Sequence, residues 1–325
     1  MRNAQVVQAW AKKRGYCVAL GRAAIVEEVR RSIEGRRKSG EIDPAFFREN
    51  LEAFTYLEGI SLRDPRSVII IAVPKPAVIL TFNWDGRKVE TILPPTYLRY
   101  RPTFAEVRDD LGEAISSTGF RVELLNAPLK AIANRLGLVA YGRTNVGYIE
   151  DLGSFFQLVG LVSDMPFEEK DLPSAREETL LPRCLKCRIC AAACPTGAIE
   201  KGRVLLHGEK CYTLFSESIQ PIPEGLKPPS PDCLIGCLRC QQLCPENKGK
   251  LRREPAPVSF DEEETRAFLG LKPEAGGPAF DRALAKFKEL GLTEGFPVFR
   301  RNLSRLLKKR GRSPKYHPSS PGSAA

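Results

Sequence analysis

The chain has 325 residues, 42% of them hydrophobic, and a formal net charge of +11. That is material for two domains with real cores, while the most apolar stretch, 67–73, falls far short of the roughly 18 residues of a membrane span. Only two histidines are present, His207 and His317, which leaves little for histidine acid–base or metal chemistry. No Walker loop or G-x-G-x-x-G run occurs. The positive balance favours acidic partners: nucleic acid, an acidic redox protein or a phosphorylated ligand. The chain opens Met1-Arg-Asn-Ala with no apolar signal segment, so a cytoplasmic, reducing location is expected.

Residues 3–13 carry helical periodicity, 16–20 read as a short strand, and 23–38 as a charged amphipathic helix. Asp43-Pro44 caps a further helix. Strands are expected at 67–73 and 77–82, and at 88–93 after the turn Asn83-Trp-Asp-Gly86, which makes 77–93 a hairpin. A helix over 103–118, a strand over 120–125, a helix over 128–136 ended by Gly137, and a strand over 155–163 complete an α/β domain over 1–175. A linker at 173–181 leads into a cysteine-rich domain, 176–250, with a probable strand at 203–206 and a proline-rich loop at 221–231. The remainder, 251–325, reads as a helical basic tail. Ser259-Phe-Asp-Glu262 is a capping box, and a last helix spans 297–309. Eight Lys/Arg and no acid fall between Arg300 and Lys315, and the composition is that of a disordered segment from about 313.

Nine of the ten cysteines lie between 184 and 244. The first run is Cys184-Leu-Lys-Cys187-Arg-Ile-Cys190-Ala-Ala-Ala-Cys194-Pro195, the spacing of two-cluster ferredoxins. The second, Cys237-Leu-Arg-Cys240-Gln-Gln-Leu-Cys244-Pro245, repeats its last three cysteines and its proline. Two-residue gaps let a tight loop turn three sulfurs onto one cubane. The cysteine past the three-residue gap points away and serves the other cluster. One 4Fe–4S cluster is therefore expected on Cys184, Cys187, Cys190 and Cys244. A second would lie on Cys194, Cys237, Cys240 and one upstream cysteine, either Cys211 or Cys233. Zinc ribbons also use Cys-x-x-Cys pairs, but rarely three cysteines at consecutive two-residue gaps. Cys17, far from the rest, reads as a small buried hydrophobe.

These residues resemble the epoxyqueuosine reductase family, which borders on the reductive dehalogenases. Gly137-Leu-Val-Ala-Tyr-Gly-Arg143-Thr-Asn145 with Gly153-Ser-Phe-Phe156 is similar to the family's G-L-G-W-I-G-K-N followed by G-S. Gly236-Cys237 with Cys240-Gln241 and Cys244-Pro245-Glu-Asn247 is similar to its G-C-D-x-C-Q-x-x-C-P-W-N. Cys211-Tyr-Thr-Leu-Phe-Ser-Glu217 falls where the family has a cysteine ligand, so the resemblance favours Cys211 over Cys233. Arg301-Asn302-Leu303 is a fainter match. The likeness covers roughly 120–250.

The resemblance implies an α+β protein: a cobalamin-binding-like α/β domain, a bacterial dicluster ferredoxin-like domain and a short helical C-terminal tail. It implies two 4Fe–4S clusters and a base-off corrinoid (cobalamin) near Gly137, Gly142, Arg143, Asn145, Gly153 and Ser154. Electrons would pass from a ferredoxin, flavodoxin or reductase through both clusters to cobalt, and tRNA or another nucleic acid becomes a candidate partner. The chain departs from the family at its proton donor. The position of the catalytic Asp, three residues before Pro128, holds Leu125, and Ala131 stands where the family has Glu. The expected function is thus a corrinoid-linked iron–sulfur reductase that does not reduce epoxyqueuosine itself. An electron-transfer module without substrate chemistry is the alternative, and a nucleic-acid-binding protein with structural clusters a second.

Overall fold

The computed structural model describes residues 2–310 apart from 174–177, 179, 201–202, 204, 229–231 and 271–276, and of Arg310 only the backbone. Its elements open with α1 (Asn3–Lys13), β1 (Cys17–Arg22), α2 (Ala24–Lys38), α3 (Pro44–Asn50), β2 (Ser67–Pro74), β3 (Ala77–Trp84) and β4 (Arg87–Leu93). They continue with α4 (Tyr100–Ile115), β5 (Val122–Leu124), α5 (Leu129–Arg135), β6 (Ala140–Tyr141), β7 (Gly147–Tyr148) and β8 (Phe156–Ser163). The cysteine-rich part holds α6 (Ile189–Ala193), α7 (Tyr212–Glu217) and α8 (Arg239–Gln242). It is followed by β9 (Arg253–Pro255), α9 (Glu262–Phe268), α10 (Pro278–Glu289) and α11 (Phe296–Arg310).

The central sheet has the order β1-β2-β8-β5, and every pair is antiparallel. Because side chains alternate along a strand, β2 feeds two cores at once. Val68, Ile70 and Ala72 pack with Ile25, Val26 and Val29 of α2 and Ile132, Ala133 and Leu136 around α5. Ile69, Ile71 and Val73 pack with Val7 and Trp10 of α1 and Val107, Leu111 and Ile115 of α4. The sheet is thus covered by helices on both faces, which is why β2 reads as a continuous apolar run rather than an alternating one.

The hairpin β3–β4 leaves this sheet. β3 pairs with β4 antiparallel and with β9 parallel, forming a separate three-stranded sheet. Its Val78, Leu80, Phe82, Val89 and Leu93 share a core with Phe260, Phe268, Phe287, Phe299, Leu303 and Leu307. Phe82 stacks on Phe260 with centroids 4.7 Å apart. The C-terminal helices are therefore packed elements rather than an appendage, and their partner comes from the first hundred residues.

Two local expectations change. The capping box is Asp261 with Glu264, two residues after the expected Ser259, because Asp261 accepts the Glu264 N–H at 2.8 Å while Glu264 returns to the Asp261 N–H. No strand forms among the described residues of 203–206: Arg203 turns its guanidinium onto the carbonyl of Leu205. The segment expected to be disordered from about 313 lies outside the described residues. Among those described, no helix is long and apolar enough to cross a membrane.

Candidate metal centre and the recess beside it

The two cysteine runs fold alike. Helices α6 and α8 pack against each other, and each ends in a Cys-Pro step with nearly the same extended backbone, φ −69°, ψ 118° at Cys194 and φ −71°, ψ 124° at Cys244. The proline fixes φ and removes a donor where the chain must turn. The last cysteine of each run is thereby thrown across to the other.

The thiols influence one another in two groups. Burial pushes the Cys190 thiol up, and Cys184, Cys187 and Cys244 add to it. Burial also raises Cys184, against the Arg143 N–H bonded to its sulfur, with Cys244 and Cys187 again contributing. These four cysteines line one small cavity, closed by Gly142, Arg143, Thr144 and Tyr148. In the second group, burial raises Cys240 strongly, with Cys237, Cys211, Cys190 and Cys194 adding. Cys237 is pushed up to about 11 by burial, with Cys211 and Cys194 as its thiol neighbours. Cys194 is the exception. Burial would raise it, but the Thr196 hydroxyl and the N–H groups of Thr196, Ala198 and Ile199 outweigh that and bring it below its ordinary value. Hydrogen bonds of this kind to a ligating sulfur are what set cluster potential.

Cys211 joins the second group: burial raises it, and Cys194 is its nearest thiol influence. Cys233 is held elsewhere. It forms a parallel bridge with Ile92, its thiol is pushed up to about 12 by burial, and Cys237 is its only cysteine influence. Cys17 is partly buried beside the α2–α5 core, as expected of a small hydrophobe. Among the described residues no three Cys, His, Asp or Glu side chains are drawn close enough for a single metal ion.

Three buried polar atoms rim the first quartet without a hydrogen-bond partner: Arg143 Nε, Thr144 Oγ1 and the Tyr148 hydroxyl. Burial, then the adjacent Cys244 thiol, holds the Tyr148 phenol well above its ordinary value. Buried donors without partners are costly in a finished structure, and the Tyr148 hydroxyl lies against the Cys244 thiol. Inorganic sulfide or cysteinyl sulfur of a bound cluster would satisfy them.

Each residue singled out for the corrinoid has an intramolecular task. Gly137, at φ 73°, ends α5. A Cβ on Gly142 would sit 2.4 Å from the Tyr148 ring. Arg143 donates through Nη2 to the Cys184 carbonyl. Asn145 is left-handed at φ 57°, and its carbonyl accepts Lys130 Nζ at 2.9 Å. Gly153, at φ 61°, touches Asn247, and Ser154 bonds to Asn247 and Gln241. The close approach that glycine allows here is to the chain's own side chains.

A cluster of polar side chains lies beside Cys211, and sequence reasoning did not find it. Lys130 and Glu217 both reach solvent at their surface, and desolvation by neighbouring protein depresses the Lys130 ammonium and raises the Glu217 carboxyl. Cys211 is influenced by Glu217 and itself influences Lys130. Glu217 accepts a hydrogen bond from the Tyr97 hydroxyl, and Tyr100, 48% exposed, is perturbed by the same carboxylate. The one sequence signal was a carboxylate six residues after Cys211. Leu125, in contrast, is buried in the core, and Asn126 directs its amide to the Ala53 carbonyl.

The basic tail helix is largely engaged. Arg301 donates to the carbonyls of Phe215, Ser216, Ser218 and Gln220, Arg300 to Phe268, Arg305 to Leu226, and Lys309 pairs with Asp232. Asn302 bonds the carbonyls of Ser216 and Leu234.

Fold and site together define a double-cluster iron–sulfur protein, and comparison with known proteins agrees. The family model of a 4Fe-4S double cluster binding domain matches residues 183–247. Epoxyqueuosine reductase of Staphylococcus aureus is 32% identical over 120 residues, 37% of this chain and 30% of that protein. The Burkholderia pseudomallei enzyme is 30% identical over 202 residues, 60% of this chain and 46% of its own, and that of Pseudomonas aeruginosa 26% over 281, 84% and 69%. The structure of epoxyqueuosine reductase from Streptococcus thermophilus superposes with a TM-score of 0.65 at 19% identity, covering 94% of this chain and 81% of that one. The chain is similar to epoxyqueuosine reductases in sequence and in fold. Its match spans less than two thirds of the S. aureus and B. pseudomallei enzymes.

Proposed function

We propose that the chain is an iron–sulfur reductase whose clusters feed a corrinoid held beside Cys211. Cys184, Cys187, Cys190 and Cys244 would hold one 4Fe–4S cluster, and Cys194, Cys211, Cys237 and Cys240 the other. The observation that carries this reading is the sorting of eight thiols into two crossed groups, one of which adjoins the polar cluster of Lys130 and Glu217. A corrinoid there would supply the reduction of the substrate. Lys130 and Asn145 supply polar contacts at the α5 side for its amide periphery, and Tyr100 a ring at the other.

The acid missing at Leu125 has a counterpart. Desolvation holds the Glu217 carboxyl above its ordinary value, and the Tyr97 hydroxyl donates to one of its oxygens, leaving the other to present a proton. The acid would thus act from the cluster side rather than from the sheet side. A substrate other than epoxyqueuosine in tRNA is favoured for that reason. One of the superposed structures is described as epoxyqueuosine reductase with an epoxyqueuosine-modified tRNA stem loop.

The test is anaerobic purification, metal analysis and titration with cobalamin, followed by turnover with epoxyqueuosine-tRNA. Iron, sulfide and a base-off absorption change, with no turnover, are expected. Absence of cobalamin binding at tens of micromolar would favour the second reading, an electron relay. The internal engagement of Gly142, Gly153 and Ser154 is the observation on its side.

A further inference from the structure

The first cysteine quartet is framed by exposed apolar side chains that join no core. Six large hydrophobic side chains are exposed among the described residues, and three of them directly adjoin ligand positions of the first quartet. Leu185, 64% exposed, follows Cys184. Ile189, 45% exposed, precedes Cys190. Leu243, 46% exposed, precedes Cys244. Beside the second quartet, Tyr212, which follows Cys211, and Leu238, which follows Cys237, are buried.

The charge around this rim has one sign. Segment 183–190 carries Arg183, Lys186 and Arg188 and no acid. Arg188 is turned onto the carbonyls of Leu185 and Cys187. Arg183 pairs with Glu246 at 2.6 Å, tying the first run to the second and neutralising the nearest acid. Lys186 and Lys248 remain exposed. An apolar centre with a charged rim is how protein docking surfaces are built, and small, weak contacts are typical of electron-transfer complexes.

We propose that Leu185, Ile189 and Leu243, with Lys186 at their edge, are the docking surface for a small acidic electron carrier of the flavodoxin or 2Fe–2S type. This rests on the cluster reading above. Each encounter moves one electron: the carrier's reduced centre is oxidised by one electron, the cluster on Cys184, Cys187, Cys190 and Cys244 is reduced by one, and no bond or proton changes hands. The exposed apolar frame, which the second quartet lacks beside Cys211 and Cys237, makes the first quartet the port. A second copy of this chain is disfavoured as occupant, because the same cations would then face each other.

The experiment uses the full chain loaded with clusters, iron and sulfide being measured first, so that failure of the cluster reading is seen separately as absent iron. Reduced acidic flavodoxin is mixed in by stopped flow and cluster bleaching is followed, with dithionite as a reductant too small to need docking. Lys186→Glu is expected to lower the flavodoxin rate about tenfold or more at low salt, and Leu185→Ser severalfold, while dithionite rates stay as in the parent. Salt should slow the parent steeply. Lys308→Glu, an equal charge change on α11, should leave the flavodoxin rate alone. Parent-like rates for Lys186→Glu and Leu185→Ser would overturn the assignment. So would an equal loss with dithionite, an equal loss from Lys308→Glu, or a dimer that Lys186→Glu strengthens.

Discussion

Asn247 holds Ser154 at two points: its Oδ1 accepts the Ser154 backbone N–H at 2.9 Å, and its Nδ2 donates to Ser154 Oγ at 2.8 Å. Nδ2 also reaches the Gln241 carbonyl at 2.8 Å, so one buried amide joins the strand β8 entry to the turn after Cys244. The sheet and the cysteine-rich segment are fixed to each other at this point.

Asn247→Ala removes that clamp and leaves the Ser154 N–H buried without an acceptor. A loss of about 2–4 kcal/mol is expected, read as a lower midpoint in denaturant together with faster iron release to a chelator. Gly153→Ala should be at least as damaging, since the position has φ 61° and a Cβ would come 2.4 Å from Asn247 Oδ1. Parent-like stability of both variants would show that the clamp is redundant.

The crossed thiol groups make a stoichiometric prediction. About eight irons and eight sulfides per chain are expected. Cys211→Ser should lose one cluster or convert it to a three-iron species in EPR, while Cys233→Ser should leave both intact. Zinc in place of sulfide would end the iron–sulfur reading, and the reverse behaviour of the two variants would move the eighth ligand to Cys233.

Glu217 predicts a pH dependence. Its carboxyl is raised in the folded chain, chiefly by burial, with the Tyr97 hydroxyl pulling the other way; Tyr100 and Cys211 are the other titratable groups influenced by it. A carboxyl raised on folding favours the native state while protonated. That contribution is fully present below its unfolded value of about 4.3 and fades as pH rises through the raised value. Glu217→Gln should therefore match the parent in acid and become the more thermostable of the two towards neutrality, the gap being moderated by the solvent that Glu217 reaches. A gap independent of pH would remove Glu217 from consideration as a proton carrier.

The tail helix is predicted to be structural. Asn302→Ala strips partners from the carbonyls of Ser216 and Leu234, and about 2–3 kcal/mol is expected to be lost. Because Ser216 lies in the helix that follows Cys211, the cluster on Cys211 should be the one released sooner. Equal release from both clusters would separate α11 from that site.

Much of this protein was legible in the linear chain. Ferredoxin spacing identifies cysteines that must converge, because short gaps constrain where sulfurs can point, and the crossing of Cys194 and Cys244 follows from their three-residue gaps. The unbroken apolar run of β2 announced a strand buried on both faces. Periodicity, however, reports that a residue faces a core, not which core. Nothing in 77–93 says that Phe82 will meet Phe260 rather than the central sheet. The basic run of α11 looks like a surface for phosphates, and only the folded chain shows Arg301 directed at four backbone carbonyls, because a carbonyl leaves no trace in sequence. The different surroundings of Cys211 and Cys233 appear in the same way, through the bridge between Cys233 and Ile92, residues far apart in the chain. Glu217 became a candidate acid only when folding brought Tyr97 to it: the chemistry of a carboxyl is set by what surrounds it, and that is fixed in three dimensions.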